Sequence, residues 1–496
     1  VNLASILEYS ARYFPGNTAV IEGERTYSYS EFNNYASKIA SALSRYGIRP
    51  GDYIGFCAPN SFDWLTLYYG ALKCGAVAVT FSSLLTKNEF QKILPDCEPR
   101  VLFTTEERLP DLEYTKSGFR PDLIITEEGG NSCKTLAEKG DSSFKTIDRD
   151  RDEIAAILYT GGTTGTPKGA MLSHENIQTS IANVAHYERS SENDLALCFL
   201  PLNHVFGQMH ILNSTIYSAG GLVILPSFDM DMALDAISRH KVTKYFAVPT
   251  VYIRMLELPD LKEKIRSVTY CFSAAASMAA EVVKEWKAKT GLNIHECYGM
   301  TESASIVTFN HYYRHVIGSV GTPASLVEVQ IRDMEGNTLN QGERGEICIR
   351  GPNIFKRYLN NPEETSRAFW GDWFRSGDMG MIDEEGYLYI VDRLKDMVIT
   401  GGENVYPREV EEVLYTRPEV QECAVIGLPD REYGEKVTAF IVLNKGETLN
   451  PADLKQFLKG QLAGYKVPKE YIAVDELPKS AAGKILKREL KKRAVV

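Results

Sequence analysis

The chain has no long hydrophobic run, no closely spaced cysteine pair and no excess of positive charge, and each absence removes a class of function. Its most apolar stretch, "LTLYYGALKCGAVAV", is too short to cross a bilayer and is broken by Lys73. The nine cysteines lie scattered between Cys57 and Cys423, odd in number and without a CxxC motif or a His-rich neighbour. That pattern favours reduced thiols, expected in a cytoplasmic protein, over a zinc ribbon or a disulfide framework. With 55 basic against 65 acidic residues the net charge is -10, a field that repels nucleic acid. The first residues, "VNLASILEYSARYF", mix Glu8 and Arg12 into a helical pattern, so no cleaved signal is expected. No internal repeat or low-complexity segment points to a solenoid or a scaffold. The one strongly basic segment, "GKILKRELKKRAVV", reads as a solvated terminal helix.

What is present is an ordinary globular composition, 44% hydrophobic and 24% charged, spread over 496 residues. From residue 17 to about 305, short apolar runs such as "DYIGFCA", "RVLFTT", "IAAILYT", "KYFAVP" and "VTYCFS" alternate with helical patterns. The expected fold class is therefore α/β, with mostly parallel sheets covered by helices. In "SYSEFNNYASKIASALSRYG", Ser28 and Glu31 form a capping box, Phe32, Tyr35, Ala36, Ile39, Ala40 and Leu43 share a face, and Gly47 stops the helix. After residue 316 the texture becomes alternating strands with Glu-Gly turns. We expect an N-terminal domain over 1–393 with a β-rich subdomain at about 316–391, and a small α+β domain over 394–496.

One segment, "YTGGTTGTPKG" at 159–169, is dense in glycines and hydroxyls and ends in Lys168. Backbone N–H groups at glycine approach an anion closely, so the loop is built for phosphate. It is not a P-loop, because Lys168 follows Pro167 and precedes Gly169. It is expected between the strand "IAAILYT" and a helix capped by Ser173, the usual site for a phosphate loop. Five further segments accompany it: "FLPLNHVFG", "ECYGMTES", "RSGDMG", "DRLKDMVITGGENVYPREVEE" and "PKSAAGKILKREL". Taken singly these are ordinary: Lys484 is a charge in a basic tail, Asp378 a turn residue, Tyr298 core filling and His204 a packed histidine.

Taken together and in order, they resemble the adenylate-forming superfamily of acyl-CoA synthetases, luciferases and peptide-synthetase adenylation domains, across essentially the whole chain. The resemblance implies roles. Thr160, Gly161, Gly162, Thr163, Thr164 and Lys168 would wrap the phosphates of ATP. Ala275, Glu296, Cys297, Tyr298, Asp378 and Arg393 would hold the nucleoside, with Thr301 on the α-phosphate and Glu302 as the Mg²⁺ ligand. Lys484 would bridge the carboxylate and the α-phosphate. His204 would gate an acyl site lined by Phe206, Gly207, Val248, Gly299, Met300, Ser305 and Ile306. Gly401 and Gly402 would admit coenzyme A, and Lys395 would be the hinge of the C-terminal domain.

The chemistry explains why such residues are needed. A carboxylate is an anion without a good leaving group, so it must first become a mixed anhydride with phosphate. At an effective dielectric of about 20, two like charges about 4 Å apart repel by roughly 4 kcal/mol, which calls for a lysine and a metal ion between them. The expected activity is an ATP-dependent acid:CoA ligase for a hydrophobic acid, releasing AMP and pyrophosphate. Transfer to a carrier protein, a luciferase-like oxygenase and a non-catalytic nucleotide sensor are the alternatives. The expected partners are thus small molecules: the acid, ATP and CoA. "SFDMD" at 227–231 lies well past the position of an amino-group anchor, so Asp229 is expected to cap a helix and amino acids are not expected substrates.

Overall fold

The computed structural model describes residues 1–112, 118–160, 167–276, 278–401, 403–480 and 483–494. Local chemistry sets the elements. The helix Tyr29–Tyr46 begins with the reciprocal Ser28/Glu31 capping box and ends at Gly47, whose φ of 98° reverses the chain. Phe32, Ala36, Ile39, Ala40 and Leu43 are fully buried, each large side chain contributing about 2 kcal/mol through apolar burial. Tyr35 departs from the expected face and is exposed, because it lies at the margin of the apolar stripe. The neighbouring helix Phe62–Lys73 packs so closely that a Cβ at Gly70 would lie 2.7 Å from Cγ2 of Ile39. Asp229 caps Met230–His240 by accepting from Met232 N at 2.9 Å, as expected.

The architecture is α/β. Two seven-stranded sheets form the large body, parallel in their interiors and antiparallel only toward their edges. One ends at Ile294–Glu296, the strand that leads into the "ECYGMTES" segment; the other contains Ile154–Thr160, which leads into the glycine–threonine loop. An antiparallel five-stranded sheet includes Glu328–Arg332, Gly345–Arg350, Trp373–Ile382 and Leu388–Arg393. Beyond it, Val398–Thr400, Glu403–Val405, Val420–Asp430, Gly434–Leu443 and Glu470–Ala473 make a last sheet. That sheet has its own apolar core around Val405, Val410, Leu414, Val425 and Ile441.

The glycine–threonine loop joins different elements from those expected. Lys168–Ser173 is not a helical approach but a strand, paired antiparallel with Ile154–Thr160 so that Thr160 faces Lys168. The loop therefore spans a hairpin, and the helix His174–Tyr187, capped by Ser173, begins only after the second strand. "KGAMLS" is short and apolar enough to join the sheet, where it lies between Ile154–Thr160 and the edge strand Arg357–Tyr358.

Candidate active site

Three strand ends and one distant turn converge. Asp378 on Trp373–Ile382 stands directly opposite Arg393 on Leu388–Arg393, and Arg393 Nε lies 3.4 Å from Asp378 Oδ1. Tyr298, two residues past the strand Ile294–Glu296, donates its hydroxyl proton to Asp378 Oδ2 at 2.7 Å. The carboxylate is thus held with a buried aromatic ring beside it. Burial raises the Tyr298 hydroxyl well above its ordinary pKa, so it remains a donor. Glu296 is buried with Oε2 unpartnered, and burial raises its carboxyl to about 8 against the opposing pull of Arg408. Ala275 holds a φ of 70°, a left-handed conformation that costs an alanine about 1–2 kcal/mol.

The "YGMTES" turn is tightly constrained. A Cβ at Gly299 would fall 1.4 Å from the Ser305 carbonyl oxygen, so only glycine fits there. Thr301–Ser303 form a single 3-10 turn, followed by Ala304 and Ser305 with φ of 53° and 113°. Backbone strain of this kind gathers at functional sites. Glu302 accepts a hydrogen bond from the Tyr358 hydroxyl at 2.7 Å. Lys168 pairs with Glu364, and its ammonium stands 5.4 Å from the Tyr358 ring centroid. Neither Tyr358 nor Glu364 stands out in the sequence, because "KRYLNNPEETSRAF" carries no pattern that separates it from surface loop. Thr160 closes the hairpin base, its hydroxyl donating to the Lys168 carbonyl at 3.4 Å. Gly161, Gly162, Thr163, Thr164 and Gly402 lie outside the described residues.

Lys484 reaches this centre from the far end of the chain. Its turn is closed by Ser480 N donating to Lys484 O at 2.8 Å and by Lys484 N donating to Ser480 Oγ at 3.1 Å. The turn rests on Val248: a Cβ at Gly483 would lie 2.5 Å from Val248 Cγ2. Loss of hydration, with the field of Arg393 set against that of Asp378, pulls the Lys484 ammonium down to about 7. His204 is pulled down to about 4 by burial and by Lys484, and its Nδ1 accepts from Phe206 N at 3.2 Å. Lys395, two residues past Arg393, is also lowered, first by burial and then by Arg393.

The last sheet is held in this orientation by contacts across the boundary. Arg408 N donates to Asp392 Oδ2 at 2.8 Å, Arg408 Nη1 donates to the Ile390 carbonyl at 2.8 Å, and Ala280 N donates to Glu412 Oε2 at 3.2 Å. Sequence reading missed Asp392, whose carboxyl burial raises to about 6. Phe206, Val248 and Ile306 are buried near the turn, and Phe206 packs edge-on against Phe272 with ring centroids 5.7 Å apart. Gly401 is not part of the gathering: it sits exposed at a hairpin, its N–H donating to the Tyr433 carbonyl at 2.9 Å.

No cluster of three or more histidine, cysteine or acidic side chains able to hold a metal is found among the described residues. Glu302 alone nevertheless suits Mg²⁺, which takes one or two carboxylates and completes its octahedron with water and phosphate oxygens. No described helix is long and apolar enough to cross a membrane.

Comparison with known proteins fits this arrangement. Residues 7–359 match the family model described as "AMP-binding enzyme", and residues 409–484 match "AMP-binding enzyme C-terminal domain". The chain belongs to the AMP-binding enzyme family and, within the adenylate-forming superfamily, to its acid–thiol ligase type. A long-chain-fatty-acid–CoA ligase of Bacillus subtilis (strain 168) is 34% identical, the match covering 98% of this chain and 94% of the relative. A feruloyl-CoA synthase of Amycolatopsis sp is 33% identical over 97% of each. The ATP-bound crystal structure of MatB from Rhodopseudomonas palustris, 36% identical, superposes with a TM-score of 0.93 over 99% of both chains. The apo form of that protein, covering the same shares at 35% identity, gives 0.83.

Proposed function

We propose that the chain joins a hydrophobic carboxylic acid to coenzyme A in two steps, through an acyl-adenylate, with release of pyrophosphate and AMP. The observation that carries this reading is the seat of Lys484, a residue of the C-terminal region partly buried beside Asp378, Arg393 and His204, where its ammonium has lost hydration. A cation held short of water is one that gains most when two anions arrive. The higher overlap with the ATP-bound than with the apo form of MatB is in keeping with an adenylating pose.

In the first step a carboxylate oxygen attacks the α-phosphorus, the bond to the bridging oxygen breaks, and pyrophosphate leaves. Lys484 spans the two anions and Thr301 donates to the α-phosphate. The loop of Thr160, Gly161, Gly162, Thr163, Thr164 and Lys168 takes the outer phosphates. Mg²⁺, when bound, neutralises phosphate charge, and Glu302 offers it a hard oxygen. Asp378 accepts from the ribose hydroxyls, Arg393 steadies the same nucleotide, and Tyr298 packs on adenine between the backbones of Ala275, Glu296 and Cys297. The acid lies along Phe206, Gly207, Val248, Gly299, Met300, Ser305 and Ile306.

In the second step the thiol sulfur attacks the acyl carbon, the bond to AMP breaks, and the thiol proton passes to solvent. Lys484 and the thiol cannot share one space, so the domain 394–496 turns against 1–393 about Lys395 and brings Gly401 and Gly402 to the site. His204, neutral at working pH because burial and Lys484 depress it, then swings as an uncharged gate. The test is purified protein with ATP, Mg²⁺, CoA and a panel of acids. Acid-dependent AMP and thioester formation is expected, and Lys484→Ala should suppress adenylation far more than thiolation of supplied acyl-AMP. AMP without thioester would refute CoA as acceptor, and equal losses in both steps would refute the two-pose reading.

A further inference from the structure

Two of the motif segments are braced by a stretch that carries none of the motifs. Residues 353–359 cross the turn Thr301–Ser303 and then run along the strand Lys168–Ser173. Asn353 Nδ2 donates to the carbonyls of Ser303 and Ile306 at 3.3 and 2.8 Å, and Phe355 N donates to the Glu302 carbonyl at 2.8 Å. Further along, Lys356 N donates to Met171 O at 2.9 Å and Leu359 N donates to Gly169 O at 2.8 Å. In that register Tyr358 lies opposite Ala170. The brace therefore fixes the backbone of Glu302 relative to the strand that begins at Lys168.

Tyr358 ties the two side chains together as well. Its hydroxyl donates to Glu302 Oε1 at 2.7 Å, and its ring centroid lies 5.4 Å from the Lys168 ammonium. Burial, and then the charge of Glu302, raises this hydroxyl above its ordinary pKa, so it stays a donor. Phe355 packs edge-on against the ring at 4.7 Å and itself meets Phe374 at 5.4 Å, which holds the ring in place. Lys168 gives one proton to Glu364, whose other oxygen accepts from Arg367 Nη1 at 3.1 Å. An ammonium has three protons, so two remain for phosphate oxygens. A phenylalanine would fill the space of Tyr358 equally well, and packing therefore does not account for the hydroxyl.

Holding both groups has a calculable use. A glutamate free to turn must give up rotamer freedom when it takes a metal, whereas one held at Oε1 has given it up on folding. With Oε1 taken by Tyr358, Oε2 is the oxygen left for a metal. The ring face does the same for Lys168, because the attraction of a cation to an aromatic face restricts a long and otherwise mobile side chain.

Resting on the ligase reading above, we propose that Tyr358 is a positioning residue for the outer phosphates of ATP and their Mg²⁺, its hydroxyl setting Glu302 and its ring setting Lys168. The probe is α,β-methylene ATP, titrated calorimetrically with Mn²⁺ and again in chelator, with AMP as the control ligand. Tyr358→Phe keeps the ring and loses the hydroxyl. It should weaken the Mn²⁺ complex by about tenfold, ~1.4 kcal/mol, and leave binding in chelator unchanged. Tyr358→Leu loses both and should also weaken binding in chelator by about threefold. AMP should bind all three proteins alike, and thermal melting of each variant reports its folding. In a Glu302→Ala background, Tyr358→Phe should add less than twofold, because the hydroxyl acts through that carboxylate. Equal affinity of the Phe variant and the unaltered protein for the Mn²⁺ complex would overturn the proposal while leaving the ligase reading intact. A loss shared by AMP, or a full tenfold loss in the Glu302→Ala background, would assign Tyr358 to packing and overturn it too. Failure of the unaltered protein to bind either nucleotide would sink the ligase reading first and this one with it.

Discussion

Binding of nucleotide should draw a proton from solvent, and the amount can be worked out from the Lys484 site. The free enzyme holds this ammonium at about 7, chiefly through lost hydration. At pH 8, one pH unit above that value, about one lysine in ten is protonated. An α-phosphate about 4 Å away contributes roughly 4 kcal/mol at an effective dielectric of about 20, equivalent to about 3 pKa units, which returns the group to its ordinary range. Binding therefore takes up about 0.9 proton at pH 8, about 0.5 at pH 7 and almost none at pH 6. The sign is fixed by the direction of change: ligand raises the pKa, so affinity is fully present below pH 7 and weakens as pH rises beyond it. The assay is calorimetric titration with Mg²⁺ and a non-cleavable α,β-methylene ATP, repeated in buffers of different ionisation enthalpy. Glu296, held at about 8, titrates in the same region, so the difference between the unaltered protein and Lys484→Met isolates the lysine. Equal uptake in both, or no uptake at pH 8 in the unaltered protein, would refute the desolvated-lysine argument.

Two backbone predictions are independent of the lysine. Gly299→Ala forces a methyl to within 1.4 Å of the Ser305 carbonyl, so it should cost about 3 kcal/mol or more in denaturant unfolding and abolish adenylation; a variant of unchanged stability would refute the close approach. Ala275→Gly relieves a φ of 70° and should stabilise the protein by about 1 kcal/mol, net of the entropy of the added glycine; a loss of stability in the same assay would show that the alanine is not strained.

Much of the local architecture was legible because its causes lie within a few residues. The Ser28/Glu31 box, the Gly47 stop and the Asp229 cap depend on contacts three or four positions apart, and they form as their spacing predicts. The strand Lys168–Ser173 was not legible, since a six-residue apolar run is a strand only if a partner edge is available, and that edge is supplied by Ile154–Thr160 and Arg357–Tyr358. Motif order identified Asp378, Arg393, Tyr298 and Lys484 as members of one site. It gave no hint that Tyr358 would hold Glu302, or that Glu364 would pair with Lys168.

By itself, then, the sequence determined most of the element types, though not the strand Lys168–Ser173, together with the α/β class, the order of the motifs and the family they belong to, because short-range periodicity, capping and turn chemistry are written in neighbouring residues. Tertiary structure alone decided that Lys484 would lose its water beside Asp378 and Arg393, and that Glu302 and Lys168 would meet at Tyr358. Those outcomes depend on desolvation and on distances between residues scores of positions apart, and both arise only when the sheets and the last domain pack together.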